Sequence, residues 1–272
     1  MRKVVSALRM FVALTAVLLG GTAIIIFSYT PLRVGRYSLA FWTFHYAVRF
    51  ILFVLNVRLS SFGREKARQT RGFVIANHVS YLDIFVLAGI APARFVAKDE
   101  ISRWPVIGRI ARAIGCVFVQ RRNKESRRNA RLALATTEWD PPIVIFAEGG
   151  RGPGTELLPF RYGAFEVAVE QEQPLLPGAI VYDPLPVAIW QRGEPLMQAV
   201  WRLAGAPGGV QASVYWLDQI VPQAGSDAVQ LSLATHNALA TLLAEKQYRR
   251  QPGKQELASA GNQRPEQLLS GN

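Results

Sequence analysis

From Met10 to Thr30 the chain carries no charged residue, and this run limits where the rest can fold. As a helix rising 1.5 Å per residue it is long enough to cross a hydrocarbon core of about 30 Å. The basic opening MRKVVSALRM precedes it. A secretory signal shares that order, but the run is too long for one and no small-residue cleavage site follows cleanly. It reads as a retained membrane anchor. A second apolar stretch, SLAFWTFHYAVRFILFVLN from Ser38, holds His45 and Arg49 near its centre. A mid-bilayer arginine costs at least about 2.5 kcal/mol. The stretch is therefore expected to lie as an interfacial or re-entrant helix, with His45 interfacial, Arg49 snorkelling to headgroups and Trp42, Phe44 and Phe50 in the boundary region. Arg2, Lys3 and Arg9 precede the first run and Arg33 and Arg36 follow it. The positive-inside rule then selects no orientation, and a hairpin with both ends cytoplasmic accommodates both flanks.

Half of the 272 residues are hydrophobic and 18% are charged, with a formal net charge of +12; a typical soluble domain has about a quarter charged. Apolar and basic together point to a membrane with anionic lipids. No nucleic acid is expected as a partner, since there is no aromatic RNA-binding strand or zinc finger. Cys116 is the only cysteine, which excludes an intramolecular disulfide and a cysteine-based zinc site.

From residue 58 short apolar runs alternate with helical patterns. FVIAN, RFVAK, CVFVQ, PIVIFAE, LLPGAIVY and VQASVYWL read as strands. Between them YLDIFVLAGI, ISRWPVIGRIARAIG (interrupted at Pro105), a basic segment from Asn123 to Trp139 and GAFEVAVEQ read as helices, and a last helix runs from Asp227 to about Lys246. This rhythm predicts an α/β fold, a sheet flanked by helices. Three regions follow: 1–57 as a membrane anchor and interfacial helix, 58–248 as the main domain, and 249–272 as a polar, Pro/Gly-punctuated tail expected to be disordered.

The segment ANHVSYLDIF places His78 five residues before Asp83, where a strand gives way to a helix. One reading is structural: Ser80-Tyr-Leu-Asp83 is a variant capping box, with Asp83 supporting the helix start. The other is chemical. An imidazole at the carboxyl end of a strand faces the crevice where α/β sheets place ligands, and a carboxylate nearby can hold its Nδ1–H. A neutral, oriented ring can take a proton from an alcohol near neutral pH. The two readings are compatible, because Asp83 has two oxygens. After the strand PIVIFA comes Glu148-Gly-Gly-Arg-Gly-Pro-Gly154. Glycines let the backbone approach a ligand, and Arg151 offers a planar fork suited to phosphate. No GK[ST] follows, and Thr155 stands where a dinucleotide fingerprint needs glycine. A flexible surface turn with a solvated arginine also fits.

Asn77-His78-x-Ser80-x-x-Asp83 followed by Phe146-x-Glu148-Gly149-x-Arg151 resembles the glycerophospholipid acyltransferase family, typified by bacterial 1-acyl-glycerol-3-phosphate acyltransferases. Gly115-Cys-Val-Phe118-Val-Gln-Arg121, Pro159-Phe-Arg161-Tyr-Gly163-Ala-Phe165 and Pro174-Leu-Leu-Pro177 resemble its linking and final blocks. The resemblance implies a mixed sheet flanked by helices behind an N-terminal membrane-embedded two-helix segment. It also implies that His78 deprotonates an acceptor hydroxyl, that Asp83 orients His78, and that Arg121, Glu148, Gly149, Arg151 and Arg161 bind a phosphorylated acceptor, with Asn77, Ser80, Gly163 and Pro177 supporting the motifs. The donor would be acyl-CoA or acyl carrier protein and the acceptor a lysolipid, most simply 1-acyl-glycerol-3-phosphate, yielding phosphatidic acid. Lyso-ornithine lipid or another lysophospholipid is the alternative acceptor, and thioester hydrolysis the alternative reaction. No cofactor or metal is implied, and the setting would be a bacterial inner membrane with the domain on the cytoplasmic side. Three positions depart from the family pattern: Gly150 for its usual Thr, Gly152 for a common Ser and Gln120 for a common Asp. All three lie around the acceptor site.

Overall fold

The computed structural model describes residues 2–120, 124–191 and 193–248. The tail expected to be disordered, 249–272, lies outside the described residues, and so does Arg121. Helix α1 (Arg2–Ser28) is followed by a small ribbon of β1 (Arg33–Val34) and β2 (Tyr37–Ser38), then α2 (Leu39–Val54). The domain proper begins with β3 (Val57–Phe62), α3 (Arg64–Gln69), β4 (Phe73–Ala76), α4 (Leu82–Ile90), β5 (Arg94–Lys98), α5 (Asp99–Ser102) and α6 (Ile107–Ala113). It continues through β6 (Val117–Val119), α7 (Lys124–Ala135), β7 (Ile143–Phe146), α8 (Gly163–Glu170), β8 (Leu175–Asp183), α9 (Leu185–Ala188), α10 (Leu196–Ala204), β9 (Val210–Trp216) and α11 (Ala228–Tyr248).

Seven strands form one sheet in the order β3-β9-β8-β4-β7-β5-β6, parallel throughout except where β8 meets β9. The central strand β4 is buried along its whole length. Its alternate side chains feed two cores: Val74 and Ala76 pack with Val86, Leu87 and Ile90 on one face, and Phe73 and Ile75 with Phe165, Val167 and Leu239 on the other. A strand covered on both faces has no need of polar alternation, which is why FVIA reads as a continuous apolar run. Register places Ala76 opposite both Phe146 of β7 and Gly178 of β8, so the segments leaving β4 and β7 emerge side by side at the carboxyl edge.

Strand β3 lies outside the sequence reading. VRLSSF is half polar and sits at the sheet edge beside β9, where one row of backbone groups and part of one face need no apolar cover.

The N-terminal helices are tied to the domain. Ser6, Ala13, Gly21 and Ile24 form the buried side of α1. Near its start Arg9 donates to the Ala204 carbonyl of α10 (3.0 Å). Further on, Gly21 lies so close to Ile110 of α6 that a Cβ there would overlap its side chain. Leu8, Phe11, Leu18, Leu19 and Ile26 remain exposed on the other side. By length and composition α1 can cross a membrane.

In α2 the polar residues differ from expectation. His45 is buried, with Nδ1–H donating to Ala88 O at 2.7 Å, and Arg49 donates to Gly89 O at 3.0 Å. Arg64 of α3 reaches the next carbonyl, Ile90 O. These are the last carbonyls of α4, acceptors that a helix cannot satisfy internally. Cations suit that negative end.

Candidate active site

The turn after β4 is held from several sides. Asn77 continues the ladder toward β8 with its side chain: Nδ2 donates to Ile180 O (3.0 Å) and Oδ1 accepts from Ile180 N–H (2.7 Å). This pins the backbone just before His78. Ser80 Oγ accepts from Leu82 N–H (3.2 Å) and donates to Ala188 O (2.5 Å), joining the turn to α9.

Asp83 is fully buried. Its Oδ2 accepts from His78 Nδ1–H (2.7 Å), Val79 N–H (2.8 Å) and Ser80 N–H (2.9 Å), and its Oδ1 from Tyr182 O–H (2.7 Å). Four donors, three on Oδ2 and one on Oδ1, thus meet the carboxylate, the hydrogen bonding that a buried charge requires. Capping and orientation therefore coexist, on the same oxygen. The Tyr182 phenol is held well above its ordinary pKa by burial first and then by the charge of Asp83, so it stays a donor.

With Nδ1 committed to Asp83, the neutral His78 ring has its lone pair on Nε2. The side chain is 20% exposed, and its ring stacks on Phe146 at 4.1 Å between centroids. Orientation is thus fixed at Nδ1 and at one face, and no hydrogen bond engages Nε2 among the described residues.

The loop after β7 grips the backbone of the same histidine. Glu148 Oε1 accepts His78 N–H (2.7 Å), and Gly152 N–H donates to His78 O (2.7 Å). The second Glu148 oxygen accepts Leu158 N–H at 3.0 Å. Burial raises the Glu148 pKa, opposed by these two N–H groups. Since both oxygens face backbone donors, Glu148 holds the loop to the turn. A Cβ at Gly152 would come within 2.6 Å of Glu148 Oε2, whereas one at Gly150 would meet nothing within 4 Å. The departure at Gly152 therefore has a local steric reason, and the one at Gly150 has none in the structure.

Arg151 is exposed, with its guanidinium 4.0 Å over the ring of Trp190. Trp190 in turn donates its backbone N–H to Val79 O (3.3 Å) and packs edge-on against Tyr81. Arg161 donates its backbone N–H to Ala147 O (2.8 Å), and its side chain covers Gly149, whose φ of +74° leaves no room for a Cβ. Both arginines thus stand on the loop beside His78. Gly163 opens α8, and Pro177 lies opposite Ile75 in the sheet. Gln120, just before Arg121, donates to Asp99 Oδ2 at 3.1 Å. It follows β6, three strand positions from β4.

Tyr182 and Trp190 are site residues that the sequence reading missed. A tyrosine ending the otherwise aliphatic LLPGAIV was the available signal, since a buried phenol needs a partner. Among the described residues, no three His, Cys, Asp or Glu side chains gather as a metal-ligand set.

Residues 58–181 match the sequence model of the family described as Acyltransferase. A 1-acyl-sn-glycerol-3-phosphate acyltransferase of Neisseria meningitidis serogroup B is 34% identical over 139 residues, 49% of this chain and 53% of that protein. A lyso-ornithine lipid O-acyltransferase of Rhodobacter capsulatus is 37% identical over 117 residues, 43% of this chain and 42% of that one. The chain thus spans about half the length of these curated relatives. The crystal structure of the 1-acyl-sn-glycerophosphate acyltransferase PlsC from Thermotoga maritima superposes with a TM-score of 0.69 at 20% identity, covering 91% of this chain and 98% of that one. It has the same fold.

Proposed function

Since residues 58–181 form a domain of the acyltransferase family, we propose that the chain is an O-acyltransferase moving a fatty acyl group from acyl-CoA or acyl carrier protein to the free hydroxyl of a lysolipid. The favoured acceptor is 1-acyl-glycerol-3-phosphate, giving phosphatidic acid. The observation that carries the reading is the 2.7 Å contact between His78 Nδ1 and the buried Asp83, with Nε2 left open.

In this mechanism Nε2 takes the hydroxyl proton as the acceptor oxygen attacks the thioester carbonyl. Asp83 keeps the ring aimed and stabilises the imidazolium. When the tetrahedral intermediate collapses, the C–S bond breaks and the sulfur leaves as thiolate, which takes the proton from Nε2. A thiol with a pKa near 8.5 needs little acid assistance. Arg151 and Arg161 are proposed to bind the acceptor phosphate together with Arg121, and the Trp190 ring under Arg151 leaves the guanidinium edges free for bidentate bonding. Residues 1–57 are proposed to lie in the membrane, with α1's exposed apolar side in lipid and the domain on the cytoplasmic side, bringing the lysolipid hydroxyl to His78.

The likeness to a lyso-ornithine lipid O-acyltransferase, at 37% identity, favours a second reading in which the acceptor lacks phosphate. Purified protein incubated with one labelled acyl thioester and a panel of lysolipids, scored by product mass, separates the two. Release of free fatty acid without any lysolipid would indicate a hydrolase. His78→Ala is expected to lower transfer by about 10²- to 10⁴-fold; full activity in that variant would overturn the mechanism.

A further inference from the structure

At the end of α4 away from His78, the structure holds a second concentration of charge that the proposed reaction does not use. Helix α4 is nine residues long, so it spans about 13 Å from end to end. It leads into β5, so its last turn sits at the amino edge of the parallel strands, opposite the edge that carries His78. A cleft of about 520 Å³ opens there, bounded by Ile90 and lined by Arg49, Arg64, Arg68, Tyr37, Trp42 and Tyr46.

The charges in this cleft are unbalanced. Arg36 and Arg71 lie nearby and share Asp140, at 3.6 and 3.5 Å. No ion pair holds Arg49, Arg64 or Arg68 among the described residues. Arg64 and Arg68 stand one turn apart on α3, the spacing that puts two side chains on one helix face. Burial, then Arg68 and Arg49, lower the pKa of Arg64, as expected where like charges crowd without a counter-ion. The helix-end carbonyls occupy Arg49 Nη1 and two nitrogens of Arg64, leaving the remaining N–H groups and all of Arg68's side chain without an acceptor among the described residues. Among the same residues the buried Tyr37 hydroxyl also lacks one.

The cleft does not end at the charges. Trp42 and Tyr46 are shared with an adjoining apolar cleft of about 610 Å³ that runs along α2 past Leu39 and Val34. A cationic pocket that opens into an apolar groove on the N-terminal hairpin has the layout of a headgroup followed by a chain. We infer that this cleft is a binding site for an anionic phospholipid of the surrounding bilayer, its phosphate on Arg49, Arg64 and Arg68 and an acyl chain along Trp42, Leu39 and Val34, separate from the acceptor site. Occupancy places a negative charge among three like charges and fastens α2 to α3 beside the end of α4. The inference rests on the proposed placement of residues 1–57 in lipid, and the test is arranged to work without a bilayer.

Full-chain protein in neutral detergent is titrated with short-chain phosphatidic acid carrying bromine on its acyl chains, which quenches tryptophan fluorescence on contact. Brominated phosphatidylcholine is the comparison, and Trp42→Phe identifies the Trp42 signal. The expected result is saturable, Trp42-dependent quenching by phosphatidic acid, half-saturating at about tenfold higher lipid in Arg64→Gln/Arg68→Gln. Arg151→Gln should leave that curve in place. The single Arg68→Gln, exposed and bonded to neighbours only through its backbone, gives the same test should the double variant misfold. Identical curves for wild type and Arg68→Gln would overturn the site. So would loss of quenching in Arg151→Gln alone, which would place the lipid in the acceptor site, or equal displacement by inorganic phosphate, which would make it a free-anion site. Failure of transfer in the lysolipid assay leaves this result untouched, so the two readings fall separately.

Discussion

At its first turn α4 presents Asp83, whose oxygens collect donors from His78, Val79, Ser80 and Tyr182; at its last turn the carbonyls of Ala88, Gly89 and Ile90 are covered by His45, Arg49 and Arg64. Both ends match the helix dipole, a negative group at the start and cations at the finish. They differ in depth. Asp83 is sealed from solvent, while Arg49 is exposed and Arg64 only partly buried. The sealed end is proposed to do chemistry, because burial makes a hydrogen bond directional and costly to break. The open end can anchor the helix and still receive a ligand. A helix of nine residues is too short to be stable alone, so both ends contribute to holding the segment that carries the proposed orienting carboxylate.

The comparison breaks most readily at Asp83. Asp83→Asn turns one oxygen into an NH₂ donor facing either the backbone N–H groups or the Tyr182 hydroxyl. Stability should fall by about 1–3 kcal/mol for the donor left unpaired, and transfer by about 10²- to 10⁴-fold as the ring loses its orienting partner. Thermal unfolding and acyl transfer on the same sample check both; a variant that lost stability but kept full transfer would leave Asp83 as a cap alone.

Tyr182→Phe sharpens the point, since it removes one donor from Oδ1 and leaves Oδ2, with His78, in place. The expected cost is about 1.5–3 kcal/mol of stability, the range for a hydrogen bond to a charged group, with a loss of transfer smaller than that of Asp83→Asn. An equal loss in both variants would mean that Oδ1 and Oδ2 act as one unit.

A smaller effect belongs to Glu148. Its pKa is raised by burial, so the native state binds that proton more tightly than the unfolded chain. Stability from this group therefore declines as pH rises from the unfolded carboxyl value through the native one. Glu148→Gln should remove that step from a plot of unfolding free energy against pH, at the expense of one backbone N–H left facing an amide NH₂.

How much of this was legible follows from distance along the chain. The strand β4, the helix after it and the pairing of His78 with Asp83 are local, and the apolar run and five-residue spacing announce them. Both readings of Asp83 could be posed from ANHVSYLDIF; that one oxygen serves both needed coordinates. Tyr182 is 99 residues from its partner, and only the parallel register of β8 beside β4 brings it there. The polar residues of α2 misled for the same reason. In a hydrophobic stretch, His45 and Arg49 suggest headgroups, yet their acceptors are carbonyls some forty residues later, exposed by the end of a helix. Strand β3 escaped because half its residues are polar, as an edge permits.

The smallest effect tests the open end of α4. Arg49→Gln keeps a donor within reach of Gly89 O but removes the charge. The expected loss is about 0.3–1 kcal/mol, the worth of a cation at a helix C-terminus, or a few degrees in Tm for a chain of this size. Because Arg49 is exposed, the loss should shrink as salt is raised from low ionic strength, where screening is weak, to 1 M, where the Debye length is about 3 Å. The loss in Asp83→Asn should be insensitive to the same change, since no solvent reaches that carboxylate. If Arg49→Gln costs as much as Asp83→Asn, or if both losses respond alike to salt, depth is not what separates the two ends, and the assignment of chemistry to one and anchoring to the other loses its physical basis.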